Sequence, residues 1–238
     1  MKTTDDLNFL RVEHKSEDLH KEFARIAKVL FEQFEVIDKN GQCFLLVEIE
    51  YYLLSLWHQD FFTYGYEEQK NFGEWLRHPA GMDLVFGDQD NGIYAGILLR
   101  GIREAQPNGK FINGPLNVRD ALSKMNHTVT TEDLNNSIAL RRISNTKDKL
   151  TLAAGRVGLK ANSLYEHHKR IIKKDSRFDN ILPSKYESFI SRNYRFITDI
   201  CPENKFREKE RVAITSVNGG FCTATKVNEL YKWNVIKQ

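Results

Sequence analysis

The stretch Phe44-Leu45-Leu46-Val47-Glu48-Ile49-Glu50-Tyr51-Tyr52-Leu53 constrains this chain more than any other. It is apolar and aromatic enough for a strand inside a sheet, yet it carries two carboxylates. Asn40-Gly41 just before it is a turn signal, so Val36-Ile37, the turn and Cys43 to Leu53 predict an antiparallel hairpin over 35–53. Alternate strand side chains share a face. Glu48, Glu50 and Tyr52 therefore point one way, and Val47, Ile49 and Tyr51 the other. Two readings fit the acidic face. It is the solvated side of a half-wet antiparallel strand, or it is a sheet wall that presents a general base to a pocket.

Ser16 to Phe34 predicts a helix, with Ser16 as N-cap and Leu19, Phe23, Ile26, Leu30 and Phe34 at helical spacing. Residues 57–75 are dense in aromatics, from Trp57 to Trp75. Such a density fits either a core or a cage that stacks a base. Leu84 to Phe86 and Ile93 to Ile102 predict strands around the Asp90-Asn91-Gly92 turn. Helical patterns follow at Leu116 to Met125, after Thr130 with Asp133, from Asn162 or Ser163 to Lys174, and from Pro183 to Arg192. Arg211 to Val217 and Phe221 to Thr225, about Asn218-Gly219-Gly220, predict a late hairpin, and Val227 to Ile236 a closing helix.

With 238 residues, one sizeable core is affordable. No apolar run approaches the roughly 20 residues that cross a bilayer. The polar start Met1-Lys2-Thr3-Thr4-Asp5-Asp6 does not look like a signal peptide. Three scattered cysteines, Cys43, Cys201 and Cys222, offer neither a disulfide framework nor zinc spacing. A reduced, cytoplasmic, monomeric protein with no metal or cofactor and no membrane partner is the expectation. Charge is uneven. Residues 1–100 hold 10 Lys/Arg against 18 Asp/Glu, and residues 101–238 hold 25 against 14. Either the second half faces a polyanion or the two halves pair.

Val47-Glu48-Ile49-Glu50-Tyr51-Tyr52 resembles the Val-Glu-x-Glu-Ala-Tyr strand of the alkyladenine (3-methyladenine) DNA glycosylase family. Gly96-Ile97-Leu98-Leu99-Arg100-Gly101-Ile102 is similar to its buried strand that ends in a catalytic-site arginine. Gly114-Pro115 is similar to its Gly-Pro helix start, and Arg156-Val157-Gly158-Leu159 and Tyr194-Arg195-Phe196 to its C-terminal blocks. The blocks keep the family's order over roughly residues 16 to 197. The resemblance implies one α+β domain with a curved, mainly antiparallel sheet flanked by helices over 1–197, and a C-terminal addition over 198–238 packed on it. It implies a DNA repair hydrolase that releases alkylated or deaminated purines from double-stranded DNA. Glu50 is then the general base and Arg100 its partner, and Tyr52 and His58 hold the extruded base; on the residues alone, Arg100 equally reads as a strand-end arginine paired to a surface acid, and His58, beside Trp57 and Asp60, as a packed histidine. Lys169, Arg170, Lys173, Lys174 and Arg177 are read as a phosphate grip or as a soluble helix face. His167-His168 is read as a solvated helix face, and Arg156 as a turn arginine that supports the core.

The chain departs from the family where the family's tyrosine-rich hairpin enters the minor groove. Residues 83–92 are too short and too acidic for that hairpin, and Asp83, Asp88 and Asp90 are expected to face phosphates with the wrong sign. Tyr64, Tyr66, Phe72 and Trp75 are the substitutes. The family's closing Arg-Gly-Ser-Pro-Trp block is not found after Phe196. A non-catalytic member of the fold, binding nucleic acid, a nucleotide or a protein, is the alternative.

Overall fold

The predicted hairpin is the middle of the fold. The computed structural model describes residues 4–16, 18–125, 130–144, 146, 148–179 and 187–232. Strands β1 (Phe34–Asp38) and β2 (Cys43–Leu54) run antiparallel, with Glu35 opposite Leu45 and Ile37 opposite Cys43. Asp38 Oδ1 accepts from the backbone N–H groups of Asn40 and Gln42, both at 2.8 Å. Gly41 turns the chain at φ +83°, a conformation that costs glycine little.

The sheet runs in the order β3 (Trp75–His78), β4 (Gly81–Val85), β5 (Tyr94–Glu104), β2, β1, β7 (Ile138–Arg142). Strand β6 (Phe111–Asn113) adds to β5. Strand β9 (Arg195–Ile197) adds to β2 and carries β8 (Leu152–Ala154) on its far side. Among the described residues the ladders are antiparallel and the sheet does not close. One edge of β2 is shared, β1 taking residues 43–45 and β9 residues 48–50. On the opposite edge the β2–β5 register shifts on either side of Glu48. Val47 is skipped on β2 and Arg100 on β5. Such bulges re-aim side chains.

Helix α1 (His20–Gln33) covers one face of the sheet with Phe23, Ile26, Ala27, Leu30 and Phe31. Each of the larger side chains among these contributes about 1.5–3 kcal/mol by leaving water. The Phe23 ring stacks on Tyr51 at 4.4 Å. The other face is covered too, by helix α2 (Pro115–Met125) over β4 and β5 and by the chain at Arg156-Val157. The strand faces therefore alternate as the sequence predicts, but the acidic one is not solvated. Glu48 and Glu50 are 2% and 0% exposed.

Helix α1 begins four residues later than the sequence suggests. Ser16 Oγ accepts from the Asp18 N–H, and Asp18 Oδ1 from that of His20, so a polar turn precedes the helix. Helix α3 (Thr131–Ser137) starts as predicted, with Thr130 and Asp133 capping each other. Helix α4 (Ala161–Ile172) is the predicted basic helix. The predicted start at Pro183 lies outside the described residues, and Glu187–Phe189 forms one 3₁₀ turn.

The late hairpin is a misreading. Helices α5 (Lys209–Asn218) and α6 (Ala224–Tyr231) stand there. The β-branched residues of Arg211 to Val217 suggested a strand, but burial follows the helical repeat: Val212, Ala213 and Ser216 are buried. Glycines 219 and 220 end α5 rather than turn a hairpin, and Thr223 Oγ1 caps α6 by accepting from the Lys226 N–H. The end of the predicted closing helix, 233–236, lies outside the described residues. These two helices close a second small core with Leu152, Ala154, Ile197 and Phe206.

Two substitutions separate helix from hairpin. In a strand Val212 and Ile214 would share a face, whereas here Ile214 is 44% exposed and Val212 is buried. Val212→Asp should cost more than about 3 kcal/mol, because it buries an unpaired charge. Ile214→Asp should cost less than about 1 kcal/mol. Urea denaturation of both variants checks this.

Candidate active site

Donors from three separate stretches of the sequence meet around one carboxylate. Glu50 Oε2 accepts from the Tyr52 hydroxyl at 2.9 Å and from Arg100 Nη1 at 3.3 Å. Glu50 Oε1 accepts from the backbone N–H of Val157 at 2.7 Å. Beside it, Glu48 Oε1 accepts from Arg100 Nε and from Arg195 Nε, each at 2.8 Å. The bulge at Arg100 lets its guanidinium span both acids. Burial by itself lowers the Arg100 pKa, but the Glu50 and Glu48 carboxylates more than offset this and raise it. Burial, and then the Glu50 charge, push the Tyr52 phenol well above its ordinary value. Tyr52 is therefore a hydrogen-bond donor to Glu50 at neutral pH.

The convergence of Glu50, Tyr52 and Arg100 agrees with the sequence reading. Glu50 itself does not open to solvent. Its side chain is wholly buried, and both oxygens are engaged. Tyr52 and Arg100, however, line a cavity of about 320 Å³ together with Phe62, Tyr64, Gln69 and Asp83, and with His78, Leu98, Ser163 and His167. This is the small end of the range for ligand pockets, roughly 300–1,000 Å³. Tyr64 stacks with Tyr66 at 5.3 Å and His167 at 5.9 Å, and meets His78 at 5.0 Å. A larger cleft of about 970 Å³, walled by Arg103, Lys149 and Asp199 among others, shares none of these residues. Its cations Arg103 and Lys149 pair with Asp199 at 3.1 and 3.5 Å. The smaller cavity is the candidate site because the donors to Glu50, the buried Asp83 and the aromatics meet there.

His58 is not part of that cavity. It is fully buried in the core, with its ring 4.9 Å from Phe189, 5.6 Å from Tyr194 and 6.2 Å from Phe23. It follows the end of β2, beyond the turn where Ser55 Oγ accepts its N–H, and so points away from Tyr52. His78 and His167 are the cavity histidines. His168, read as solvated, is 7% exposed and packs on Phe61 at 4.9 Å. Burial lowers the His167 pKa, and nearby Arg170 lowers it further. Helical spacing was the available signal: Ser163 and His167, four apart, share the side of α4 that lines the cavity.

Asp83 was also misplaced. It does not face phosphates but lies in the cavity wall, 2% exposed, accepting from His78 Nε2 at 3.0 Å. Asp88 accepts from the Asn91 side chain at 2.8 Å within the turn, and Asp90 is exposed. In a strand, the alternation of Leu84 and Phe86 against Asp83 and Val85 was the sign that Asp83 points inward with its neighbours on β5.

The proposed phosphate grip divides. Lys169, Lys173 and Lys174 are exposed on α4 and just after it. Arg170 instead lies over Tyr64 at 5.2 Å and Tyr66 at 5.9 Å. Arg177 is held by Asp175 at 2.8 Å and donates to the Gly92 carbonyl at 3.1 Å, which fastens the 88–93 turn. Of the proposed wedges, Trp75 is fully buried, and Phe72 lies under Arg11 at 4.5 Å. Trp57, 58% exposed, is the large aromatic of the 57–75 segment that stands in water.

Arg156 supports the core as read. It is fully buried, pairs with Asp60, and donates to the carbonyls of Tyr51 and Phe189 at 3.0 Å. Its guanidinium also lies 4.6 Å from the Tyr52 ring centroid, which fixes that ring beside Glu50. Among the described residues no cluster of His, Cys, Asp or Glu is arranged to hold a metal ion, and no helix is long and apolar enough to cross a membrane. No protein-family model matches the chain, and no curated protein matches it either.

Removing Glu48 should cost stability rather than only activity. Glu48→Ala leaves Arg100 and Arg195 facing each other in the interior, and breaking such buried pairs costs about 3–5 kcal/mol. Urea denaturation of the purified variant should show that loss, and a change under about 1 kcal/mol would show that the pair is not structural.

Proposed function

We propose that this chain is an N-glycosylase-like hydrolase of alkylated or deaminated purines in DNA, with Glu50 as general base. The observation that carries the reading is that Tyr52, Arg100 and Val157, which donate to the buried Glu50, line one aromatic cavity with Glu50 behind its wall. These residues come from three of the blocks that resemble the alkyladenine glycosylase family. An extruded purine would enter the cavity and stack against Tyr52, Phe62 or Tyr64. Water adds to the sugar C1′ as the bond from C1′ to the base nitrogen breaks. Glu50 takes a proton from that water and its charge offsets the oxocarbenium-like sugar. The base leaves with the electrons of the broken bond. Arg100 and Tyr52 keep Glu50 ionised and aimed.

A second reading has one observation of its own. Both Glu50 oxygens are taken by protein donors, and no part of the side chain meets solvent. A pocket of this kind binds a base without hydrolysing it. Hydrolysis requires the Val157 N–H or the Tyr52 hydroxyl to give way to water.

A nicking assay on duplexes carrying hypoxanthine, ethenoadenine or a 3-methyladenine analogue separates the two. Alkali-labile sites that Glu50→Gln reduces by about 10²–10⁴-fold support the enzyme. Turnover unchanged in Glu50→Gln removes Glu50 as the base. Lesion binding with no cleavage favours the non-catalytic reading.

Duplex binding should rest on Lys169, Lys173 and Lys174. Replacing all three with alanine should weaken binding on every sequence alike. It should also flatten the dependence of log affinity on log salt by up to about three units, since each released phosphate contact contributes about 0.9. Fluorescence anisotropy at several salt concentrations reads both. An unchanged slope would place the DNA elsewhere.

A further inference from the structure

We propose that Asp83, with His78 and Gln69, selects a base that presents guanine's donor edge, a ring N–H beside an exocyclic amine. The inference rests on the reading of this cavity as a base pocket. It narrows the substrate class to purines that keep that edge and so disfavours deaminated adenine.

Asp83 differs from the other acids in the middle of the fold. Glu48, Glu50 and Asp60 each meet an arginine. Asp83 is as deeply buried, but among the described residues no lysine or arginine pairs with it. Its Oδ1 accepts from His78 Nε2 at 3.0 Å. Its Oδ2 has only the Gln69 amide, at a long 3.4 Å. An ionised carboxylate has about four acceptor sites, so about half of Asp83's capacity is unfilled. His78 needs a donor as well. With its proton on Nε2, facing Asp83, its Nδ1 is an acceptor, and that atom is buried without a hydrogen-bond partner. Gln69 is held off by its own contact: its carbonyl oxygen accepts from the Tyr66 N–H at 3.2 Å, which leaves its amide N–H at the long 3.4 Å from Asp83.

The backbone is shaped for this acid. A Cβ at Gly96 on β5 would stand 2.3 Å from Asp83 Oδ2, so the glycine leaves the room that the carboxylate occupies. Asp83, His78 and Gln69 all line the cavity, beside Tyr52, Phe62 and Tyr64. The cavity therefore combines stacking surfaces with a cluster that lacks donors.

Guanine fits that deficit. Its N1–H and N2 amine lie side by side, as two carboxylate oxygens do, and the second amine hydrogen is free for a further acceptor. Hypoxanthine lacks the amine. Adenine sets an acceptor nitrogen beside its amine, which a carboxylate repels. Pyrimidines of the thymine type offer one N–H between two carbonyls.

Isothermal titration of the full chain with guanosine, inosine and adenosine monophosphates tests this, since the first two differ only in the amine. Guanosine monophosphate should bind at least about tenfold tighter than inosine monophosphate, the worth of one hydrogen bond to a charged group. Asp83→Asn should bring the two within about threefold. A melting curve shows whether that variant folds, and if it does not, the wild-type ratio still decides. Equal binding of guanosine and inosine monophosphates, tighter binding of adenosine monophosphate, or a preference that survives Asp83→Asn would overturn the proposal and leave the base-pocket reading standing. Binding of none of the three would overturn that reading, and the proposal with it.

Discussion

One oxygen of Glu48 holds three strands together. It accepts from Arg100 on β5 and from Arg195 on β9 at the same 2.8 Å, while Glu48 itself sits on β2 between them. Isolated charges in such an interior would cost several kcal/mol each. Glu48, Glu50, Arg100 and Arg195 sum to zero, and each contact among them is a charge-assisted hydrogen bond. The same contact explains why β9 can share an edge of β2 with β1. It also anchors the C-terminal segment, because Arg195 Nη2 donates to the Arg207 carbonyl at 2.8 Å, just before α5. The uneven charge of the two halves is resolved in part by such pairs. Glu35, Glu48 and Asp60 from the first meet Arg141, Arg195 and Arg156 from the second.

With Glu48 neutralised by two arginines, Glu50 is left with a share of one. Its remaining donors, the Tyr52 hydroxyl and the Val157 N–H, are neutral. Neutral donors are weaker partners than cations, and they are the ones a water or a developing positive charge displaces most easily. The two acids thus divide the work by surroundings alone. Glu48 is locked into the frame. Glu50 stands one turn of the strand further along, next to the cavity, and is the acid whose partners can change.

Much of this was legible in the sequence where local rules decide. Asn40-Gly41 fixed the hairpin, because Asp38 and a left-handed glycine make that turn without help from the rest of the chain. The Thr130–Asp133 box fixed the start of α3 in the same way. The pairing of Glu50 with Tyr52 follows from strand alternation, and Arg100 followed from the resemblance. Elsewhere tertiary contacts overruled the pattern. The resemblance put His58 with Tyr52 in the pocket, but the chain turns at Ser55 and carries it into the core as a packed histidine. His78 carried no signal beyond its strand, since only the β3–β4 pairing sets it beside Asp83. The α5 segment was read as a strand because β-branched residues favour one. The helix wins there through the packing of Val212 and Ser216 onto the second core.

The acidic stretch after Gly81 shows most clearly how burial reverses a reading of charge. On a surface facing DNA, three aspartates would repel phosphates, and that is what the sequence alone suggests. In the fold the three separate. Asp90 stays in water, Asp88 closes a turn with Asn91, and Asp83 enters the cavity wall opposite a glycine that leaves it room. An acid withdrawn from the surface no longer opposes the backbone of a nucleic acid. It acts instead at close range on whatever enters the cavity, where a low local dielectric makes each hydrogen bond and each unmet acceptor count for more. The segment that departs from the resembled hairpin therefore gives the cavity an acid that, among the described residues, meets no arginine.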